Sequence, residues 1–330
     1  MSFFYAVIAV LTMTAAAFLG AKVAALRWMM GIALPYAAMA AFLSGLVYRV
    51  LTWARADVPF RIPTTTGQQK SLPWIRHARL ESPATKAWTV ARMMLEVLLF
   101  RSLFRNSRIK LREGARLAYS EEKFLWLGAM AFHWSLLVIL IRHLRFFMEP
   151  VPRFVLLLQE LDGFFQLASP VLYATDVLIA GSLLFLLLRR LRTPVIRYIS
   201  MFSDYFALWL FLGLVSTGAI MRYFARVEIL PIKQTMIGLI TFSPHVPDGL
   251  SPLFFAHLIL LSALLAYFPF SKLVHMAGVF LTPTRNLPND NRMRRHVNPW
   301  NYPVKVHTYG EWEDEFRDRI KAAGLPLERQ

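Results

Sequence analysis

The sequence lacks cysteine entirely and is poor in charge. None of its 330 residues is Cys, and only 17% are Asp, Glu, Lys or Arg, whereas soluble proteins average about 25%. Without thiols the chain can form no disulfide, no thiolate zinc site, no protein-ligated iron–sulfur cluster and no covalent c-type haem attachment. Any redox chemistry therefore needs a non-covalent cofactor held by nitrogen or oxygen, for which eight histidines are available.

Acidic residues are scarce relative to basic ones, with 20 Asp and Glu against 37 Lys and Arg and a formal net charge of +17. Such a balance can indicate nucleic-acid binding. Here the basic residues cluster between apolar runs, where the positive-inside rule places them, and this argues against a nucleic-acid partner. With 56% hydrophobic residues and a mean hydropathy of +0.44, the composition predicts a polytopic membrane protein.

Six apolar stretches approach or exceed the roughly 20 residues that span a bilayer. We therefore predict an all-α fold, a polytopic membrane helix bundle of about six transmembrane helices. The first stretch is taken as a retained helix, because no basic residue precedes it and no clear cleavage site follows. The predicted spans are 3–21, 29–50, 124–147, 170–188, 205–223 and 252–269, the last extending to about 280.

The distribution of basic residues predicts the orientation of the chain. Three connections are rich in Lys and Arg, namely 55–123, 189–200 and the tail from Lys272 onward. All three lie on one side if there are six spans, which places both termini in the cytoplasm. The chain then divides into two N-terminal transmembrane helices (1–54), a basic cytoplasmic loop with an amphipathic helix at 84–104 (55–121), a four-helix core (122–280) and a cytoplasmic tail (281–330).

Four histidines lie within the predicted spans, on only two helices. His133 and His143 are on the third span, and His257 and His275 are on the sixth. An ionisable side chain inside a membrane indicates function by default. Because the two helices run in opposite directions, His143 is level with His257 on the outer side and His133 faces His275 on the inner side. This arrangement predicts bis-histidine ligation of two stacked b-type haems.

The spacings of the two histidine pairs differ. At 1.5 Å per residue, the ten residues from His133 to His143 rise about 15 Å, whereas the eighteen from His257 to His275 rise about 27 Å. The two helices must tilt or bend to share both haems, and Pro269 is the predicted kink.

An alternative is that the four histidines pack between helices and bond to backbone carbonyls or hydroxyl groups. Their confinement to two antiparallel helices at matching sides favours the haem interpretation. The other four histidines, His77, His245, His296 and His307, lie in predicted loops or in the tail, and we interpret them as surface residues.

These histidine spacings resemble those of the nitrate reductase gamma-subunit family, membrane di-haem cytochromes b, over about residues 120–280. The segment from Ser203-Asp204-Tyr205 through Ser216-Thr217-Gly218 is similar to the helix between that family's two histidine helices. The long basic loop and the tail through Asn298–Pro303 resemble the DsrM family over nearly the whole chain. Members of that family are the cytochrome b subunits of DsrMKJOP, a transmembrane complex associated with sulfite reduction.

The resemblance implies ligands and partners. His133, His143, His257 and His275 match the family's four axial haem ligands, although the first helix is additional to the five spans of gamma subunits. DsrM-family proteins pass electrons between menaquinone and a cytoplasmic iron–sulfur subunit related to heterodisulfide reductase (DsrK), together with other DsrMKJOP subunits. The resemblance thus implies an oxidoreductase subunit in a bacterial or archaeal inner membrane, with two haem b groups, menaquinone or ubiquinone as substrate, and a role in dissimilatory sulfur metabolism.

Charged residues surround the outer histidine. Arg142, Arg145 and Arg222 are candidate contacts for haem propionates or quinone, because the guanidinium fork suits carboxylates. The competing interpretation is that each snorkels to the membrane interface. Glu149 is the carboxylate nearest in sequence and the candidate proton acceptor for a quinol. Asp176, inside the fourth span, is either a proton relay or a helix-to-helix hydrogen-bond partner.

Two other classes of function stay open. A transporter would use intramembrane histidines as proton relays and would bind no chromophore. A haem-free anchor would only hold soluble subunits at the membrane. The direction of electron flow also stays open, since the same chain of cofactors can oxidise a quinol or reduce a quinone.

Overall fold

The structure is a computed structural model that describes residues 1–57, 67–112, 114, 116–164, 169–290, 292–293 and 306–328. The described chain is predominantly helical, as predicted. Its helices are α1 (Ser2–Gly20), α2 (Ala24–Ala54), α3 (Lys86–Leu99), α4 (Arg101–Phe104), α5 (Lys123–His143), α6 (Arg153–Asp162), α7 (Ala174–Arg192), α8 (Pro194–Ile199), α9 (Phe202–Phe224), α10 (Ile229–Ile240), α11 (Pro252–Tyr267), α12 (His275–Gly278), α13 (Pro283–Asn286) and α14 (Tyr309–Ala322). The strands are β1 (Ser107–Arg112) and β2 (Arg116–Glu121).

Among the described residues, five helices are long and apolar enough to cross a membrane. They are α1, α2 and α9, together with α5 and α11 and their short continuations to Phe146 and Phe270. Large apolar side chains such as Leu11, Leu43 and Leu140 are exposed on their outer surfaces. A helix that is apolar on its outer surface as well as inside the bundle is typical of a membrane span. The chain is therefore a multi-pass membrane protein.

The remaining predicted span corresponds to α7, whose composition differs. This helix has 19 residues but carries Asp176 in its first turn and three arginines in its last turn. It packs along α5 on one side and α9 on the other, with Ile179 and Leu183 fully buried. The bundle thus contains a long helix for each of the six apolar stretches, although α7 is more highly charged than the other five.

The first helix is an integral part of the bundle. It packs against α9 and α11, and α2 packs along the other side of α11. The main buried cluster draws one or more residues from each of five long helices, for example Val10, Phe132, Leu183, Leu210 and Leu260. Because each helix contributes to one core, α5, α7, α9 and α11 are held in a fixed arrangement around the histidines.

The helix that carries His257 ends before His275. A 3₁₀ turn over Phe268–Phe270 contains Pro269 and is followed by Ser271 in an extended conformation, with φ −120° and ψ 177°. Proline cannot donate the backbone hydrogen bond that would continue the helix. The predicted kink at Pro269 is therefore a complete break, after which a new helical turn begins.

The basic loop contains two short helices and a β-hairpin. α3 begins after Thr85, whose hydroxyl accepts a hydrogen bond from the Trp88 N–H group, and ends at Phe100 in the left-handed region, with φ 48° and ψ 47°. These helices occupy the stretch where the sequence predicts an amphipathic helix. The hairpin pairs β1 with β2 in antiparallel register, Ile109 opposite Tyr119, and it is an addition to the all-α fold that we predicted.

In the tail, α14 begins at Thr308, which forms a reciprocal capping pair with Glu311. The proline-containing segment Asn298–Pro303 and His296 lie outside the described residues.

Candidate functional site

The first histidine pair consists of His133, in the middle of α5, and His275, at the start of α12. The centroids of their rings are 6.1 Å apart and the ring planes are at 79° to one another. Imidazole nitrogen binds a transition metal at about 2.0–2.1 Å, so two rings on opposite sides of one metal ion have centroids about 6 Å apart. The first pair therefore has the spacing of two axial ligands to one iron.

The second pair consists of His143, the last residue of α5, and His257, in the second turn of α11. The two side chains lie within electrostatic range of one another, and both are largely enclosed by the bundle. Since His143 lies about 15 Å along α5 from His133, the two pairs occupy different levels of the bundle.

The break after α11 resolves the difference between the two spacings. A continuous helix would carry His275 about 27 Å from His257. The 3₁₀ turn at Phe268–Phe270 and the extended Ser271 redirect the chain. His275 can then face His133, even though more residues separate His275 from His257 than separate His133 from His143.

Three of the four histidines are oriented by backbone carbonyls. Nδ1 of His133 lies 2.8 Å from the Ala129 oxygen, and Nδ1 of His143 lies 2.7 Å from the Ile139 oxygen. Nδ1 of His275 lies 2.7 Å from the oxygen of Lys272. A carbonyl only accepts, so Nδ1 carries the proton in each neutral ring and the lone pair is on Nε2. Metal-ligating histidines are typically held in this way.

His257 is oriented by a hydroxyl of the neighbouring helix instead. Oγ1 of Thr217 lies 2.8 Å from the Gly213 oxygen and 2.9 Å from Nδ1 of His257. Because the hydroxyl donates to the carbonyl, its oxygen accepts from Nδ1 of the histidine. Gly218 brings the α9 backbone alongside the ring, since an added Cβ would lie 3.6 Å from Cε1 of His257. In all four histidines these bonds use Nδ1 and leave the lone pair on Nε2.

These pairs fit a haem better than a bare metal ion. Within the described part of the chain, no three or more His, Cys, Asp or Glu side chains are grouped to hold a metal. Each pair offers two imidazoles, and a haem macrocycle would supply the other four nitrogens itself. The chemistry of the donor set therefore matches bis-histidine haem ligation at two levels.

Two aromatic rings contact His133. The centroids of Phe100 and Phe132 lie 4.9 Å and 5.0 Å from that of His133, both edge to face. Phe146 has a similar relation to His143, at 5.6 Å. Such rings provide an apolar wall of the kind that an apolar macrocycle requires.

Arg142 is buried next to two carboxylates. Its Nη2 lies 2.5 Å from Oδ1 of Asp176, its Nε lies 3.1 Å from Oδ2 of Asp162, and its guanidinium carbon is 3.8 Å from the ring centroid of Tyr173. Only 7% of the residue is exposed. These partners tie α5 to α6 and α7, and a contact from Arg142 to a cofactor stays a prediction.

Asp176 has the hydrogen bonds between helices that were one of its two predicted roles. Its Oδ2 accepts from the hydroxyl of Tyr223, at 2.7 Å, while Oδ1 accepts from Arg142. The carboxylate thus links α7 to both α5 and α9. These contacts are also compatible with a proton relay.

The other three predicted charged residues have separate surroundings. Arg145 donates to Oε1 of Gln159 at 2.7 Å, and Arg222 donates to the Val171 oxygen at 3.0 Å. Glu149 is paired with Lys233. The guanidinium carbon of Arg222 also lies 4.1 Å from the ring centroid of Tyr173, the ring that Arg142 contacts. The structure therefore brings Arg142 and Arg222 together around one aromatic ring.

Two residues with a clear geometric role were not assigned one from the sequence. Thr217 is part of the Ser-Thr-Gly segment that carried the family resemblance, and Phe100 lies in the basic loop. A hydroxyl residue within an apolar run is the signal that could have indicated Thr217. Phe100 gives no such signal, because its contact with His133 depends on how α3 docks.

Among the remaining histidines, His245 and His307 are exposed, as predicted, and His77 is half-buried. None of these three belongs to either pair.

The chain was compared with known proteins. Residues 88–292 match the family model described as the nitrate reductase gamma subunit. An Archaeoglobus fulgidus protein described as "Hdr-like menaquinol oxidoreductase cytochrome b-like subunit" is 46% identical over 277 residues, 82% of each chain. An Archaeoglobus profundus protein of the same description is 43% identical over 275 residues, 81% of each chain. With the match covering more than half of the chain and all four paired histidines, the chain belongs to the nitrate reductase gamma subunit family.

Proposed function

We propose that this protein is the di-haem cytochrome b subunit of a membrane quinol oxidoreductase of the DsrM type. In this role it exchanges electrons between the menaquinone pool and a cytoplasmic iron–sulfur partner related to heterodisulfide reductase, in dissimilatory sulfur metabolism. The observation that carries the proposal is the 6.1 Å separation of the His133 and His275 rings. The descriptions of the two Archaeoglobus relatives, which name menaquinol and an Hdr-like complex, support it.

The four histidines hold the two haems, which supply one-electron carriers at two levels of the membrane. Hydrogen bonds from each Nδ1 fix the orientation of the rings and raise the basicity of Nε2. Phe100 and Phe132 give His133 apolar neighbours at that level. Arg142, Arg145 and Arg222 remain proposed contacts for a propionate or a quinone near His143.

Quinol oxidation also releases protons, which require an acceptor. Glu149 is the proposed one, because its carboxylate is the nearest in sequence to His143 and its side chain is 67% exposed. Asp176 is the alternative, since Tyr223 donates to its carboxylate and connects it to α9.

The partner subunit is proposed to dock on the basic loop (55–121) and the tail (281–330), with both termini in the cytoplasm of a bacterial or archaeal cell. This chain has no cysteine, so every iron–sulfur cluster of the complex must be held by a partner. An excess of basic residues on that side favours an acidic docking surface.

The test is a reduced-minus-oxidised absorption spectrum of the purified protein, with a pyridine haemochrome assay, for the parent chain, His133→Ala and His257→Ala. We expect two b haems per chain and the loss of about one in each variant, because each substitution removes one axial ligand. His245→Ala is the matched control, since His245 is exposed and outside both pairs, and it should retain both haems.

A parent protein that shows no haem absorbance after expression with sufficient haem would contradict the proposal. That result would favour a transporter or a haem-free anchor. Retained electron transfer but lost assembly in the two histidine variants would favour the anchor.

A further inference from the structure

Helix α3 has an unusual distribution of polar residues. Its buried positions are Thr89, Arg92 and Glu96, whereas Val90 and Met94 are exposed. An amphipathic helix on a soluble protein has the opposite arrangement, with its apolar side covered. The polar side of α3 therefore faces the interior of this protein.

Helix α3 leads to the first histidine pair. Thr89, Arg92 and Glu96 lie on one face of α3, because separations of 3 and 7 residues are close to whole turns at about 100° per residue. Phe100, the residue at which α3 ends, has its ring 4.9 Å from that of His133. The C-terminal end of α3 thus lies beside an axial ligand candidate.

The end of α3 is fixed against α5. The indole nitrogen of Trp126 donates to the Leu99 oxygen at 2.7 Å, and that of Trp134 donates to the Leu98 oxygen at 3.1 Å. These bonds satisfy two of the carbonyls left unpaired at the end of the helix. The C-terminal end of α3, about two turns after Arg92, is therefore held beside α5, and α13 also packs on α3.

Arg92 has an unpaired N–H group in the interior of the protein. The residue is 6% exposed, and its Nη1 has no hydrogen-bond partner among the described residues. Glu96, one turn further along α3, is a nearby counter-charge, but its carboxylate accepts the N–H and the hydroxyl of Ser102, at 3.0 Å and 2.5 Å. Burial lowers the pKa of Arg92, Glu96 opposes the shift, and the guanidinium groups of Arg285 and Arg101 add to it. A buried guanidinium N–H group without a partner requires an acceptor.

We propose that Arg92 binds a propionate carboxylate of the haem held by His133 and His275. This inference rests on the proposed function, because it presupposes a haem at the first pair. A guanidinium group is well suited to a carboxylate, through two parallel N–H···O bonds. The cytoplasmic loop would then be part of the haem site, and movement of α3 would change the charge next to that haem.

The test uses redox titration of the purified protein in a His257→Ala background, where the haem of the first pair is the only one left to titrate. Arg92→Gln should lower its midpoint potential, because an unneutralised propionate stabilises the oxidised iron. Arg92→Lys, which keeps the charge, should restore most of the potential. The resonance Raman propionate bending mode should shift in Arg92→Gln, a change that a role in packing alone would not produce.

Arg79→Gln is the matched control. Arg79 is an exposed arginine of the same loop, 5.8 Å from the Trp88 ring, and its loss changes the net charge by the same amount. Equal shifts in the Arg79 and Arg92 variants, or no shift in either, would overturn the inference while leaving a haem-containing protein and the proposed function intact. If Arg92→Gln does not accumulate, Arg92→Lys decides alone, and an unchanged Raman mode in it counts against the inference. A parent protein without haem would overturn both.

Discussion

At the level of single residues, the four histidines share one construction but differ in the group that orients them. Three donate Nδ1–H to carbonyls of their own chain segment, and such acceptors are present whatever the side chains are. His257 instead donates to Oγ1 of Thr217 on another helix. The orientation of this ligand can therefore be changed by one substitution without touching the histidine.

We predict that Thr217→Val weakens the haem at the second pair. Valine has the shape of threonine without the hydroxyl, so Nδ1 of His257 loses its acceptor and the ring loses its fixed tautomer. Loss of such an outer contact reduces metal affinity by about 10–100-fold. Haem titration followed by the pyridine haemochrome assay measures the effect, and the haem at the first pair should bind as before.

Two controls accompany this substitution. Thr217→Ser keeps the hydroxyl and should behave as the parent protein. Thr235→Val removes another buried hydroxyl, one that donates to the Pro231 oxygen of its own helix and to no histidine, and should leave haem content unchanged. Equal haem affinity in Thr217→Val and the parent would show that Thr217 does not support the ligand.

At the level of helices and strands, the sequence predicts most of what long apolar runs determine. The six runs correspond to six long helices, and Pro269 marks the end of α11, because a proline removes a donor wherever it occurs. The sequence does not indicate which side of α3 is covered. The periodicity of apolar residues shows that the helix has an apolar and a polar face, but it leaves open which face packs against the rest of the protein. The hairpin was missed because Ile109 and Leu111 of β1 alternate with basic residues inside a segment interpreted as loop.

The break after α11 depends on a glycine in a different helix. A Cβ at Gly45 of α2 would lie 2.7 Å from Cβ of Pro269, closer than a side-chain contact allows. We predict that Gly45→Ala displaces the turn and moves His275 away from His133, so that the haem at the first pair is lost or shifted in potential. The haem of the second pair should be retained, because His257 precedes the break.

Gly181→Ala in α7 is the matched control for this prediction. An added Cβ there meets nothing within 4 Å, so the substitution should only raise helix propensity, by about 1 kcal/mol. Both variants are compared by optical spectra and redox titration. An unchanged first haem in Gly45→Ala would mean that the turn tolerates the displacement and that its position does not determine the pairing.

At the level of the whole molecule, the orientation of the chain depends on whether α7 crosses the membrane. Its 19 residues give about 28 Å of helix, close to the thickness of the hydrocarbon core. Its charges are confined to the ends, where the arginines can snorkel and Asp176 is paired with Arg142. Since α7 packs along α5 and α9, we expect it to cross with them, which keeps the basic loop and the tail on one side.

The absence of native cysteine makes this prediction testable by labelling single introduced cysteines with a membrane-impermeant maleimide. Ala56→Cys and Asp318→Cys, both at exposed positions, should react only in inverted vesicles. Ser243→Cys, exposed between α10 and α11, should react only in intact cells. If α7 does not cross, the maleimide will label both Ser243→Cys and Ala56→Cys from the cytoplasmic side. It will then label Asp318→Cys from the opposite side. That exchange would separate the tail from the basic loop, and the two could no longer form one docking surface for a cytoplasmic partner.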